Sequence, residues 1–356
     1  MRTTITLFFF LLSLTPYIAS AQKTITPVDV NGKNYTRAQV LKYPLISTAL
    51  SLVTVTGIGF IDSVDLENMD VPWWLPASAA PMHLPMYQLD TRRGRRYSLA
   101  EAGFLASFYA TKSNPTVAKT AFNLYLKTAW YSTYDMYKIA RSRAKPGVYP
   151  DDWRGYGVKE LSFSPFKWEN VTRPIFYIPV GLILLSQVNS INKSDSSIFK
   201  TKKAYIDGNE VPMGQAIPMM IGNNMLHYIA TAIGEEALYR GVIYEELKVS
   251  FGSKRAKIID FFLFPAIHVP MDIANKRDRE EILGRFIERG IATLLFDYAY
   301  DKGGLPLSVS LHTWFNFINF TTNWMRDSGK PDQSSEENGT SASIMPPMTL
   351  SFTIWF

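Results

Sequence analysis

The run from Ile233 to Leu247, Ile-Gly-Glu-Glu-Ala-Leu-Tyr-Arg-Gly-Val-Ile-Tyr-Glu-Glu-Leu, opens with adjacent carboxylates, Glu235 and Glu236. They end an uncharged stretch from Val211 to Gly234 that is long enough to cross a bilayer. Charge in such a place is costly and implies a task. On a helix, Glu236 and Arg240 stand four apart and can pair, while Glu235 points about 100° away and is left free for other work.

Two further stretches supply partners for that pair: Phe264-Pro-Ala-Ile-His268, and His312-Thr-Trp-Phe-Asn316 inside the uncharged run from Gly303 to Met325. The chain has four histidines, and two of them lie in these apolar settings. The patterns E-E-x-x-x-R, F-x-x-x-H and H-x-x-x-N, in this order on hydrophobic segments, resemble the CPBP family of CAAX-protease and bacteriocin-processing (Abi) intramembrane proteases. The resemblance covers roughly Val211 to Trp324, about a third of the chain.

The resemblance implies an intramembrane endopeptidase. Glu235 with His268 would take the proton from water, and His312 with Asn316 would donate hydrogen bonds to the developing oxyanion. Glu236 would support them, tied to Arg240, although spacing alone leaves open which glutamate is the base. Glu235, His268 and His312 also make a two-His, one-carboxylate set for zinc, which would lower the pKa of a bound water. The pattern is not H-E-x-x-H, and metal-dependent and metal-free chemistry both remain open. Against catalysis stands a structural alternative, in which Glu236 and Arg240 form a helix salt bridge and His268, His312 and Asn316 join helices together. A second function fits the same family, that of a non-catalytic scaffold or immunity-type membrane protein.

The elements that must carry these residues are helical. The expected fold is all-α, a polytopic transmembrane bundle with an extra N-terminal helical region. Residues 1–21 read as a signal peptide, with Arg2, an apolar core and Ala19-Ser20-Ala21 before Gln22. Residues 22–165 hold one expected span, Tyr43 to Ile61, and helices from Ser98 to Arg143 broken near Pro115. There Phe122, Tyr125, Ala129, Trp130 and Tyr134 recur at helical spacing, a face suited equally to a membrane surface or to packing. His83 reads as a packed or exposed histidine rather than a ligand. Residues 166–326 form the protease-like core, with a further span from Pro174 to Asn192, a polar loop from Asn192 to Glu210, and His227 read as structural. Residues 327–345 are polar and low in complexity, a disordered linker, and 346–356 form an apolar tail resembling a last outer-membrane strand.

Composition narrows the classes. Cysteine is absent, which removes disulfides, thiol catalysis and Cys-type zinc sites. The net charge of +6 gathers in clusters such as Arg92, Arg93, Arg95 and Arg96, which membrane-flanking loops explain more simply than nucleic-acid binding. The expected partners are a peptide or protein substrate and the lipid bilayer, with no nucleic acid. The expected location is a bacterial inner membrane, with the outer membrane as the alternative.

Overall fold

Local signals set the helix boundaries in the described residues of the computed structural model, which are 35–48, 83–111, 114–151, 153–274 and 277–329. The segment expected to be a signal peptide, most of the span expected from Tyr43 to Ile61, and the expected C-terminal linker and tail from residue 330 onward lie outside them. Helix α1 (Thr91–Ala110) starts where the Asp90 side chain accepts from the Arg93 amide. Helix α2 (Pro115–Ser142) starts where Asn114 accepts from the Val117 amide and Pro115 takes the first turn. Each cap satisfies an amide that the helix itself cannot.

The two helices form a hairpin whose inner face is the aromatic ladder of α2. Tyr125, Ala129 and Trp130 are buried against Leu238, Tyr239 and Phe264, which belong to the later part of the chain. The face seen in the sequence is therefore a packing face. His83 is buried beside the hairpin, with Nε2 2.7 Å from Ser98 Oγ and Nδ1 2.8 Å from Glu101, and serves packing as expected.

Helix α3 (Pro174–Lys193) keeps most of its apolar surface outward: Leu182 is 63% and Leu185 71% exposed. Its inward residues Phe176 and Ile183 pack on Leu307, Leu311 and Phe315. The stretch read as a polar loop contains a hairpin, β1 (Lys203–Ile206) paired antiparallel with β2 (Asn209–Pro212). Asp207 and Gly208 turn it with φ of 49° and 75°, the left-handed pair that a two-residue turn needs. Asp-Gly is itself a turn signal in the sequence, and the all-α class stands with this one small addition among the described residues.

Helix α4 (Met213–Leu238) continues through a π-helical turn, Tyr239–Tyr244, into α5 (Glu245–Phe251). Helix α6 (Ser253–Ala266) ends one residue after Pro265. Helix α7 (Arg279–Asp327) breaks at Gly304, whose φ is 68°. The positive φ calls for glycine, and a Cβ there would in addition have to displace the Tyr156 hydroxyl, 2.5 Å away. Pro306 then opens the second half, which carries His312 and Asn316.

At least four spans are expected; the one from Tyr43 to Ile61 lies mostly outside the described residues, and among the described residues one helix, Pro174–Lys193, is both long and apolar enough to cross a membrane. The reason is compositional. Helix α4 carries Gln215, Asn223, Asn224 and His227, and the second half of α7 carries Ser308, Ser310, His312, Asn316 and Asn319, so polar side chains dilute both runs.

Candidate active site

From Ala230 to Arg240 every residue of α4 and the turn after it is buried. Small residues make this approach feasible. A Cβ on Gly234 would lie 2.7 Å from Lys127 Cβ, so glycine lets α4 touch α2 one residue before Glu235. The π-helical turn begins immediately after, a local irregularity that often accompanies functional residues.

Glu236 is wholly buried and fully engaged. Arg240 Nη1 lies 3.2 Å from its Oε1, His312 Nδ1 lies 2.7 Å from the same oxygen, and the Ser308 hydroxyl donates to Oε2. Arg240 in turn bridges outward, with Nε 3.1 Å from Asp297, Nη2 3.9 Å from Asp260 and Nη2 donating at 3.3 Å to the Thr293 carbonyl. Its guanidinium sits 4.9 Å from the Phe264 ring and 5.4 Å from the Phe296 ring. A buried cation surrounded this completely is a rigid post.

His312 stacks on Phe296 with 4.7 Å between ring centres. Its Nδ1 faces a carboxylate, which can only accept, so the hydrogen-bond network assigns the proton to Nδ1. Nε2 then turns to Glu235, 3.7 Å from Oε2. His268 follows the end of α6 and places Nδ1 2.8 Å from the Phe264 carbonyl, an acceptor, which leaves Nε2 as its basic nitrogen. Both histidines are within electrostatic reach of Glu235. Asn316, one turn after His312, is buried with its carboxamide oxygen lacking a hydrogen-bond partner among the described residues.

The sequence left Glu235 free, and the structure corrects this. Lys127 of α2 reaches it with Nζ 2.8 Å from Oε1, both side chains being almost wholly buried. Lys127 lay within a run read as amphipathic, where a lysine looked like a solvated residue. The missed residues, Lys127, Ser308, Asp260 and Asp297, had no motif to mark them. A charged residue beside the aromatic ladder of α2 was the one available signal. His227 lies two turns before Glu235, 3.4 Å from Thr120 Oγ1.

As placed, the set does not fit a metal ion. Among the described residues no three His, Asp or Glu side chains gather as such an ion requires, and the Lys127 ammonium already supplies a cation at Glu235. What the arrangement offers is a buried carboxylate, a histidine with a basic nitrogen, and a second histidine and an amide from one helix face.

The sequence model of the family described as type II CAAX prenyl endopeptidase, Rce1-like, matches residues 218–318, which run from within α4 to within the second half of α7. No curated protein and no solved structure matches the chain. The matched segment contains all seven residues named by the three patterns. Lys127 lies outside it.

Proposed function

We propose, for a chain whose segment 218–318 is of the Rce1-like family of membrane proteases, that the buried cluster hydrolyses peptide bonds with a water activated by Glu235 and His268. The observation that carries this reading is that, all buried, Glu236 meets Arg240 and His312, Glu235 faces His312 and lies within electrostatic reach of His268, and Asn316 stands one turn beyond His312 on the same helix. Glu235, rather than Glu236, is the base: Glu236 spends both oxygens on Arg240, His312 and Ser308, while Glu235 keeps Oε2 turned toward His312 Nε2. Asn316 through its amide N–H, and His312 once Nε2 is protonated as well as Nδ1, then donate to the carbonyl oxygen as charge develops there. Glu236 and Arg240 position His312.

The bilayer is the medium that fits the outer surface. Leu283, Ile287, Ile291, Leu294 and Tyr298 recur every three or four residues along one exposed face of α7. At roughly 1.5 Å per residue they cover about 22 Å, a large part of a hydrocarbon core of about 30 Å. With α3, and with Ile258 and Phe262 exposed on α6, these surfaces favour a polytopic arrangement in which α4, α6 and α7 enter the membrane beside α3. An inner-membrane location follows from a helical bundle of this kind.

Detergent-purified protein should cut members of a quenched peptide library, and Glu235→Gln and His268→Ala should each lower the rate by about 10²–10⁴-fold while the protein stays folded. Undiminished cleavage by Glu235→Gln would remove the assignment of the base. A chelator arm decides the metal question, with activity expected to survive. Silence of the wild type against the whole library would move the function to a non-catalytic membrane scaffold.

A further inference from the structure

A cavity of about 610 Å³ runs between α1, α2 and α4, outside most of the matched segment. Arg93, Arg96 and Lys138 line it toward one end, Phe104 and Leu226 toward the other, and Lys127 lies in its wall. Lys127 is therefore common to the cavity and to the buried carboxylate cluster. Its ammonium has three N–H groups. Among the described residues Glu235 is its one hydrogen-bond acceptor, at 2.8 Å, and the Trp130 ring covers another side at 3.6 Å. Lys127 lines the cavity as a residue while its almost wholly buried ammonium, with one acceptor among the described residues, lies against Glu235, so the ammonium has donor capacity left for a group that reaches past the cavity wall to it.

We propose that Lys127 is a catalytic residue supplied from outside the matched segment: a peptide lying in this cavity presents its carbonyl oxygen to the Lys127 ammonium while Glu235 takes the proton of the attacking water. This rests on the protease reading above. The water oxygen bonds to the carbonyl carbon, its proton passes to Glu235, and the π pair of the carbonyl moves onto oxygen against the ammonium. Collapse re-forms the carbonyl and breaks the C–N bond, and the amine leaves with the proton returned from Glu235. One N–H held on Glu235 throughout keeps base and donor in register.

The absence of cysteine makes the test specific, because Lys127→Cys creates the chain's one thiol. Alkylation with 2-bromoethylamine rebuilds a lysine-like ammonium at that position, whereas 1-bromopropane installs a neutral chain of the same length. With wild type cutting and Glu235→Gln silent, Lys127→Cys should lose about 10²–10³-fold in kcat, the scale of one oxyanion donor. Aminoethylation should recover at least about tenfold of it, propylation none, with mass spectrometry confirming both products.

Lys127→Arg keeps the ion pair for folding and moves the donor. It should melt close to the wild type and turn over at least about tenfold more slowly. Wild-type kcat in Lys127→Cys or Lys127→Arg overturns the proposal, as does equal recovery with both reagents or failure of either to reach the thiol in folded protein. Failure of the wild type to cut any peptide overturns the protease reading and this inference with it.

Discussion

Helices α3 and α4 look alike as sequence, each holding an uncharged run long enough to span a bilayer, yet they are opposites in the folded chain. In α3 only 17% of the apolar window is buried, and the exposed residues Tyr177, Ile178, Leu182, Leu185 and Val188 face outward around the helix. In α4 the first half is largely exposed and the second half, from Ala230 on, is wholly enclosed. The difference teaches that hydropathy reports what surrounds a helix only when neighbours leave its surface free. Where neighbours enclose it, as α2, α6 and α7 enclose the end of α4, the same composition becomes a low-dielectric container for charge.

The comparison predicts a ranking. Breaking the enclosed charges should do the most damage. Arg240→Leu strands Glu236 and Asp297 without their cation, and the cost expected is about 3–5 kcal/mol, the range for removing one partner of a buried pair. Thermal unfolding in detergent checks it. A loss under about 1 kcal/mol would mean that water reaches the cluster and that the enclosure is illusory.

A charge added to α3 should come next. Leu182→Arg or Leu185→Arg should disfavour membrane insertion by about 2.5–3.5 kcal/mol, the scale for a cation at the centre of a spanning helix. The membrane-bound fraction after alkaline extraction reads this out. If both variants sediment and melt like the wild type, α3 lies in water and the contrast with α4 fails.

Contact between α2 and α4 sets a third effect. Gly234→Ala places a methyl carbon 2.7 Å from Lys127 Cβ and 3.0 Å from its Cα. One of these is backbone and cannot step aside, so the helices must separate, at about 1–3 kcal/mol. The same separation lengthens the Lys127–Glu235 contact, so cleavage should fall further than stability does. A variant with wild-type stability and wild-type turnover would show that the two helices are not in register through this point.

The seven residues of the three family patterns are legible in the sequence because each pattern is a short, fixed spacing within one stretch of chain. Glu236 and Arg240, four apart, meet in the fold as the helical period requires. The pairing of Glu236 with His312, 76 residues away, was not legible, since nothing in a single sequence ties two distant helices together. Lys127 was hidden for a different reason. Its type argued for solvent, and only the tertiary contact with Glu235 overrides that preference. The break at Gly304 was within reach, because Gly303-Gly304 followed by Pro306 marks a helix stop and restart. The exposed apolar face from Leu283 to Tyr298 was obscured by the charges interleaved with it.

Asp135 gives the mildest test and the sharpest one, because it shares α2 with Lys127 but lies two turns further on, where partners reach solvent. Lys138 Nζ is 2.7 Å away and the Arg93 guanidinium spans both carboxylate oxygens at 2.7 and 2.8 Å. Burial pushes the Asp135 pKa up, and Lys138 and Arg93 together more than reverse it, so it lies below the ordinary carboxylate value. A carboxylate depressed in the folded state contributes stability above its unfolded pKa and loses it as the pH falls through the folded one. Asp135→Asn should therefore destabilise by about 1–2 kcal/mol near neutral pH, toward the lower end for bonds to a charged group because Arg93 is partly exposed. The gap between variant and wild type should close as the pH falls below about 4, the ordinary aspartate value. Unfolding midpoints measured from pH 7 down to pH 3 decide it. A gap that does not narrow at all between pH 5 and pH 3 would mean that the side chain acts through packing rather than charge, and the boundary between enclosed and solvent-reached pairs on α2 would then have to lie beyond Asp135.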